Sequence, residues 1–86
     1  MHDMTGKTVL ITGASRGIGR DTALVFAAAG ANVALVARGT EKIDSLASEI
    51  GAKAVAISCD VAKFQDVEAA VEQTLDSFGS LDVLIG

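Results

Sequence analysis

The sequence predicts an α/β fold: a three-layer parallel sheet wound as β-α-β-α-β-α-β, with strand order 3-2-1-4. Three observations carry that expectation. Four short, β-branched apolar runs recur along the 86 residues, each continuous rather than alternating, as in strands buried on both faces. Three segments of helical periodicity lie between them. The connections are short, so right-handed crossovers join parallel neighbours. Two crossovers run one way and the third runs back. The first two helices then cover one face, and the third alone covers the other.

The elements follow in order. The first strand is Thr8-Val9-Leu10-Ile11-Thr12, and an Ala-rich helix spans about 17–29. The second strand is Asn32-Val33-Ala34-Leu35-Val36. The second helix, about 41–50, places Ile43, Leu46, Ala47 and Ile50 at i, i+3, i+4 and i+7, with Thr40 as its N-cap. The third strand is Ala54-Val55-Ala56-Ile57-Ser58. The third helix, about 64–78, aligns Phe64, Val67, Val71, Leu75 and Phe78 on one stripe, and Leu81-Asp82-Val83-Leu84-Ile85 forms the fourth strand. Gly30, Gly51 and Gly79 stand where left-handed C-caps are wanted.

Composition narrows the chemistry. There is no Tyr, Trp or Pro, so no tyrosine acid or base can come from this chain. The net charge is −4, with +2 in residues 1–43 and −6 in residues 44–86. The acidic total argues against a nucleic-acid partner. The positive first half suits a small anion such as a phosphorylated ligand, or reflects chance in so few residues. Cys59 is the one cysteine, which excludes an internal disulfide and points to a reducing compartment. It reads as a packed thiol, and with His2 alone beside it no metal site can be built. The uncharged run from Thr22 to Ala37 is broken by Gly30-Ala31-Asn32 and falls short of the roughly 20 apolar residues of a membrane span. The first four residues lack a signal-peptide pattern, so the expectation is a cytoplasmic protein with no membrane partner.

The strongest local signal is Thr12-Gly13-Ala14-Ser15-Arg16-Gly17-Ile18-Gly19, between the first strand and the first helix. Gly13 permits a tight turn out of the strand. Gly17 lets a pyrophosphate approach the backbone, and Gly19 lets the helix pack close. The helix N-terminus offers N–H groups and a positive dipole end to phosphate. In this strand–turn–helix setting the motif predicts dinucleotide binding rather than a turn without a ligand. A flavodoxin-like or receiver domain would not need the three glycines together.

The residue ending the second strand reads the adenosine ribose. An acid there favours NAD. Here the candidate positions are Ala37 and Arg38, and the Arg38 guanidinium can pair with a 2′-phosphate, with Arg16 reaching it from the turn. NADP(H) is therefore favoured over NAD(H), against the alternative that both arginines are solvated surface residues. Asp60 and Val61 follow the third strand at its carboxyl end. The Asp60 carboxylate can accept from the adenine amino group, and the Val61 backbone can wall that pocket. Asp60 can equally cap the third helix.

These motifs together resemble the short-chain dehydrogenase/reductase family, in its 3-oxoacyl-carrier-protein-reductase-like branch. The residues are TGASRGIG after the first strand, VALVAR at the second, CDV at the third and GSLDVLI at the fourth, and the resemblance covers about residues 5–85. It implies a Rossmann-type domain over residues 1–86, the N-terminal portion of a larger fold. It also implies cofactor binding at Gly13, Ser15, Arg16, Gly17, Ile18, Gly19, Arg38, Asp60 and Val61. Relatives of this kind transfer hydride between the nicotinamide and a carbonyl or alcohol. The family's Asn-Asn-Ala-Gly after the fourth strand is represented here by Gly86 alone. Its catalytic Ser and Tyr-x-x-x-Lys have no counterpart, so the chain carries no catalytic residue and is expected to be inactive by itself. The other reading is a non-enzymatic nucleotide-binding module, or an excised or designed folding fragment. Either way, an exposed apolar face and an open edge on the fourth strand predict self-association.

Overall fold

The computed structural model describes residues 3–15 and 17–86, so His2 and Arg16 lie outside the described residues. The element order is β1 (Thr8–Thr12), α1 (Gly17–Ala28), β2 (Asn32–Ala37), α2 (Glu41–Ile50), β3 (Ala54–Ser58), α3 (Phe64–Phe78) and β4 (Val83–Ile85). The sheet order is β3-β2-β1-β4, and every pairing is parallel. Thr8 sits opposite Asn32 and Thr12 opposite Val36, which fixes the β1–β2 register.

Alternation along the strands divides the core in two. Val9, Ile11, Val33 and Leu35 pack with Ala23 of α1 and with Ile43 and Leu46 of α2. Leu10, Ala34, Val36 and Ile57 pack on the opposite face with Ala70 of α3. Each fully buried Val, Leu or Ile contributes roughly 1.5–3 kcal/mol. Both faces of β1 and β2 are thus apolar, as the continuous runs predicted.

Four local expectations need correction. The apolar stripe of α3 is only partly its buried face: Val67 and Val71 pack against the core and Phe78 is half-buried, but Phe64 is 75% exposed and Leu75 42%, and the fully buried positions are Ala70 and Thr74. Small side chains let the helix sit close to the sheet, and the Thr74 hydroxyl is satisfied locally by donating to the Ala70 carbonyl at 2.8 Å. β4 begins at Val83 rather than Leu81. The Asp82 Oδ2 accepts the Thr8 N–H at 2.9 Å, so at this point a side chain occupies the place of a ladder partner. Thr40 precedes α2 in a helical conformation (φ −99°, ψ −21°), and its side chain makes no capping bond. Of the caps, Gly79 is left-handed (φ 81°, ψ −8°), whereas Gly51 (φ 101°, ψ −145°) lies outside that region although its N–H still donates to the Ala47 carbonyl.

Asp82 is the polar fastening of β4. Besides holding the Thr8 N–H, its Oδ2 accepts from Ser80 Oγ at 3.3 Å, and its own N–H donates to the Thr8 carbonyl at 2.9 Å. Thr8 is fully buried. Asp82→Ala should therefore strand a buried donor and lower stability by about 1–3 kcal/mol, read from urea unfolding curves. An unchanged midpoint and slope would refute this role.

Candidate functional site

The turn after β1 is built around one close approach. Gly13 adopts φ +66°, a conformation costly for residues with a Cβ. Gly19 lies two residues into α1, and a Cβ placed on it would sit 2.8 Å from the Gly13 carbonyl carbon and 3.2 Å from Ala14 Cα. The helix therefore packs on the turn leaving the sheet, and only a glycine allows it. Ala14 is fully buried and its N–H donates to the Val36 carbonyl at 3.4 Å, tying the turn to β2. Gly17 serves differently: its φ is +62°, and a Cβ there would meet nothing within 4 Å. Ile18 is 85% exposed, so the first turn of α1 is open to solvent.

A cleft of about 640 Å³ lies over the carboxyl ends of the strands. It is lined by Thr12, Gly13 and Ser15 from β1 and its turn, and by Val36, Ala37, Arg38 and Gly39 from β2 and beyond. Glu41 and Lys42 from the start of α2, and Cys59 and Val61 after β3, complete it. Two bonds steady this rim: Ser58 Oγ donates to the Arg38 carbonyl at 3.0 Å, and the Cys59 N–H donates to the Ala37 carbonyl at 2.9 Å. A second space of about 540 Å³ shares Ser15, Glu41 and Lys42 with it and extends to Arg20 and Glu49. Arg20 and Glu49 form the one ion pair among the described residues, at 3.2 Å and largely exposed.

Asp60 shapes the turn into α3. Its Oδ1 accepts the Ala62 N–H at 3.0 Å, its N–H donates to Asp66 Oδ2 at 3.0 Å, and its carbonyl accepts the Lys63 N–H at 2.9 Å. Cys59 is buried, which pushes its thiol pKa upward, and the Asp66 and Asp60 carboxylates add to the shift. It is a packed thiol in a wall, not a poised nucleophile.

Of the residues predicted from the sequence, Gly13, Ser15, Arg38 and Val61 line the cleft together. Gly17, Ile18 and Gly19 begin α1, and Asp60 precedes α3, without lining it. Arg16 lies outside the described residues. Sequence reasoning missed Glu41 and Lys42. The available signal was position: ligands gather beyond the carboxyl ends of parallel strands, where the next helix begins. Among the described residues no cluster of His, Cys, Asp or Glu can hold a metal ion, and no helix is long and apolar enough to cross a membrane.

A doubly wound parallel sheet with a glycine turn beneath a cleft at its strand ends defines a Rossmann-type chain. It belongs to the short-chain dehydrogenase family, whose model matches residues 7–86. The chain is 47% identical over 83 residues to a 3-oxoacyl-[acyl-carrier-protein] reductase of Staphylococcus aureus, covering 92% of this chain and 34% of the relative. It is 44% identical over 82 residues to a 2,5-dichloro-2,5-cyclohexadiene-1,4-diol dehydrogenase of Sphingobium indicum, covering 95% and 33%. A crystal structure of a 3-ketoacyl-(acyl-carrier-protein) reductase from Brucella melitensis complexed with NADH superposes with a TM-score of 0.91 at 44% identity, covering 94% of this chain and 34% of that one. The chain spans about a third of the length of the relatives it matches.

The Gly19 contact is testable without a ligand. Gly19→Ala should force the turn or the helix to shift and lower stability by about 1–3 kcal/mol, the range of overpacked sites, measured by thermal and urea unfolding. A variant as stable as the parent would show that the turn absorbs the extra methyl freely.

Proposed function

We propose that this chain is the NADP(H)-binding N-terminal part of a short-chain dehydrogenase/reductase, an oxidoreductase that moves hydride between the nicotinamide and a carbonyl or alcohol. The observation that carries the reading is the cleft over the strand ends, with the Gly13 turn on one side and the exposed Arg38 on the other. The residues present fit the adenosine end of such a cofactor. The backbone at Gly13 and Gly17 carries no side chain to fend off a pyrophosphate, and the unpaired N–H groups at the start of α1 would be its donors. Ser15 offers a hydroxyl at the same rim. Arg38, with Arg16, would hold the 2′-phosphate, and Val61 would wall the adenine with Asp60 behind it. The cofactor would supply the hydride. This chain has no tyrosine to supply the proton, so on the family's chemistry these 86 residues bind without turning over. The single buried cysteine fits a cytoplasmic setting.

A second reading, NAD(H) as the natural ligand, has its own support. The Brucella melitensis relative was crystallised with NADH, and Glu41 puts a carboxylate into the cleft. Calorimetric titration decides between them. NADPH should bind this chain at least about tenfold more tightly than NADH, and Arg38→Ala should remove most of that difference. Equal affinities, or an NADPH affinity indifferent to Arg38, would defeat the NADP(H) reading.

We also infer that the chain self-associates through the α3 side of its sheet. An apolar groove of about 350 Å³ runs between α3 and β4, lined by Leu10, Val67, Val71 and Leu84, and Leu84 is 58% exposed. β4 pairs only with β1 among the described residues, leaving its outer edge open. Sedimentation should show concentration-dependent oligomers that Leu84→Glu shifts toward monomer. A monodisperse monomer at all concentrations would refute the inference.

A further inference from the structure

We propose that Lys42 is a specificity-determining residue of the cleft, forming with Arg38 a two-cation receptor for the 2′-phosphate of the adenosine ribose. The proposal rests on the NADP(H) reading of that cleft and extends it to a residue the glycine motif does not announce. Arg38 and Lys42 line the same cleft from the two sides of the segment joining β2 to α2. Lys42 also lines the adjoining space with Ser15, so it stands where the two openings meet. Among the described residues neither cation takes part in an ion pair, since the one pair joins Arg20 to Glu49.

The chemistry of a phosphate monoester matches this arrangement. Its oxygens accept two bonds from the planar guanidinium fork and leave a third for an ammonium acting as a point charge. The side chain of Thr40 makes no capping bond, so it does not occupy the first N–H groups of α2, which begin at the same rim. Glu41 is the counterweight. It lines the same cleft, and its carboxylate would repel a phosphate while it can accept a bond from an unmodified 2′-hydroxyl. Among the described residues the charged lining is thus two cations against one acid, a balance to which Arg16 of the turn would add.

The test uses this chain with 2′,5′-ADP and 5′-ADP as calorimetric probes. Lys42→Ala should weaken 2′,5′-ADP about tenfold while leaving 5′-ADP within about twofold, and Lys42→Arg should recover most of the loss. Glu41→Gln should tighten 2′,5′-ADP and not 5′-ADP. Lys42 is exposed, and an unchanged melting temperature confirms that each variant is folded. If Lys42→Ala leaves 2′,5′-ADP unchanged while Arg38→Ala weakens it, the role of Lys42 is refuted and the NADP(H) reading stands. If Lys42→Ala weakens both probes equally, the residue is a general attractor of anions and the proposal also fails. If the parent chain binds both probes alike, the NADP(H) reading fails and takes this one with it.

Discussion

Burial of β1 on both faces and along both edges is the demand from which the rest of the fold follows. Val9 and Ile11 require apolar cover on one side and Leu10 requires it on the other. β2 and β4 satisfy its main chain from the two flanks. Right-handed crossovers then leave little freedom: α1 and α2 must lie together on the Val9 face and α3 on the Leu10 face. Even the polar ends of β1 are accounted for. Thr8 Oγ1 lies 3.3 Å from Ser80 Oγ, and the Thr12 hydroxyl donates to the Ile85 carbonyl at 3.3 Å. A strand so enclosed can deliver the chain to a ligand only at its carboxyl end. The close approach of Gly19 to Gly13 is the cost of turning there, because α1 must fall back onto the sheet at once to cover Val9 and Ile11.

The parts of this fold legible in the sequence are those governed by repetition. Continuous runs such as Val33-Ala34-Leu35-Val36 state burial on both faces, and β3 and α3 begin and end where the pattern says. The misread parts are governed by single contacts. Periodicity ranks Phe64 and Leu75 with Val67, because it weighs hydrophobicity and not the distance between helix and sheet. Ala70 and Thr74 win the buried face because they are small enough to let α3 approach. Asp82 reads as a polar interruption of an apolar strand, yet it is the acceptor that holds β4 against Thr8. No spacing rule marks it, since its partner lies 74 residues away.

The site divides in the same way. Its glycines are legible because backbone geometry leaves few alternatives: Gly13 needs a positive φ and Gly19 has no room for a Cβ. Arg38 is legible because the end of the second strand is a fixed place in such folds. Lys42 is not, because a lysine in the first turn of an amphipathic helix reads as a solvated residue until the cleft beside it is seen. Asp60 shows the converse. The motif marks the position, and in the structure its carboxylate is engaged in the turn before α3.

The uneven charge of the chain acquires a spatial meaning from this arrangement. α3 carries Asp66, Glu68, Glu72 and Asp76 and no lysine or arginine, and it packs on the face opposite α2. Glu68, Glu72 and Asp76 therefore lie across the sheet from α2 and Lys42, while Asp66 turns toward the strand ends and accepts the Asp60 N–H at 3.0 Å beside Cys59. With a screening length of about 8 Å at physiological ionic strength, exposed acids on the outer side of α3 act weakly at Lys42. An anion entering the cleft would meet Arg38, Glu41 and Lys42 among the described lining residues, whatever the net charge of −4 of the whole chain. An acidic chain can thus present a cationic opening, because the fold places its negative helix behind the sheet and its positive loop in front of it.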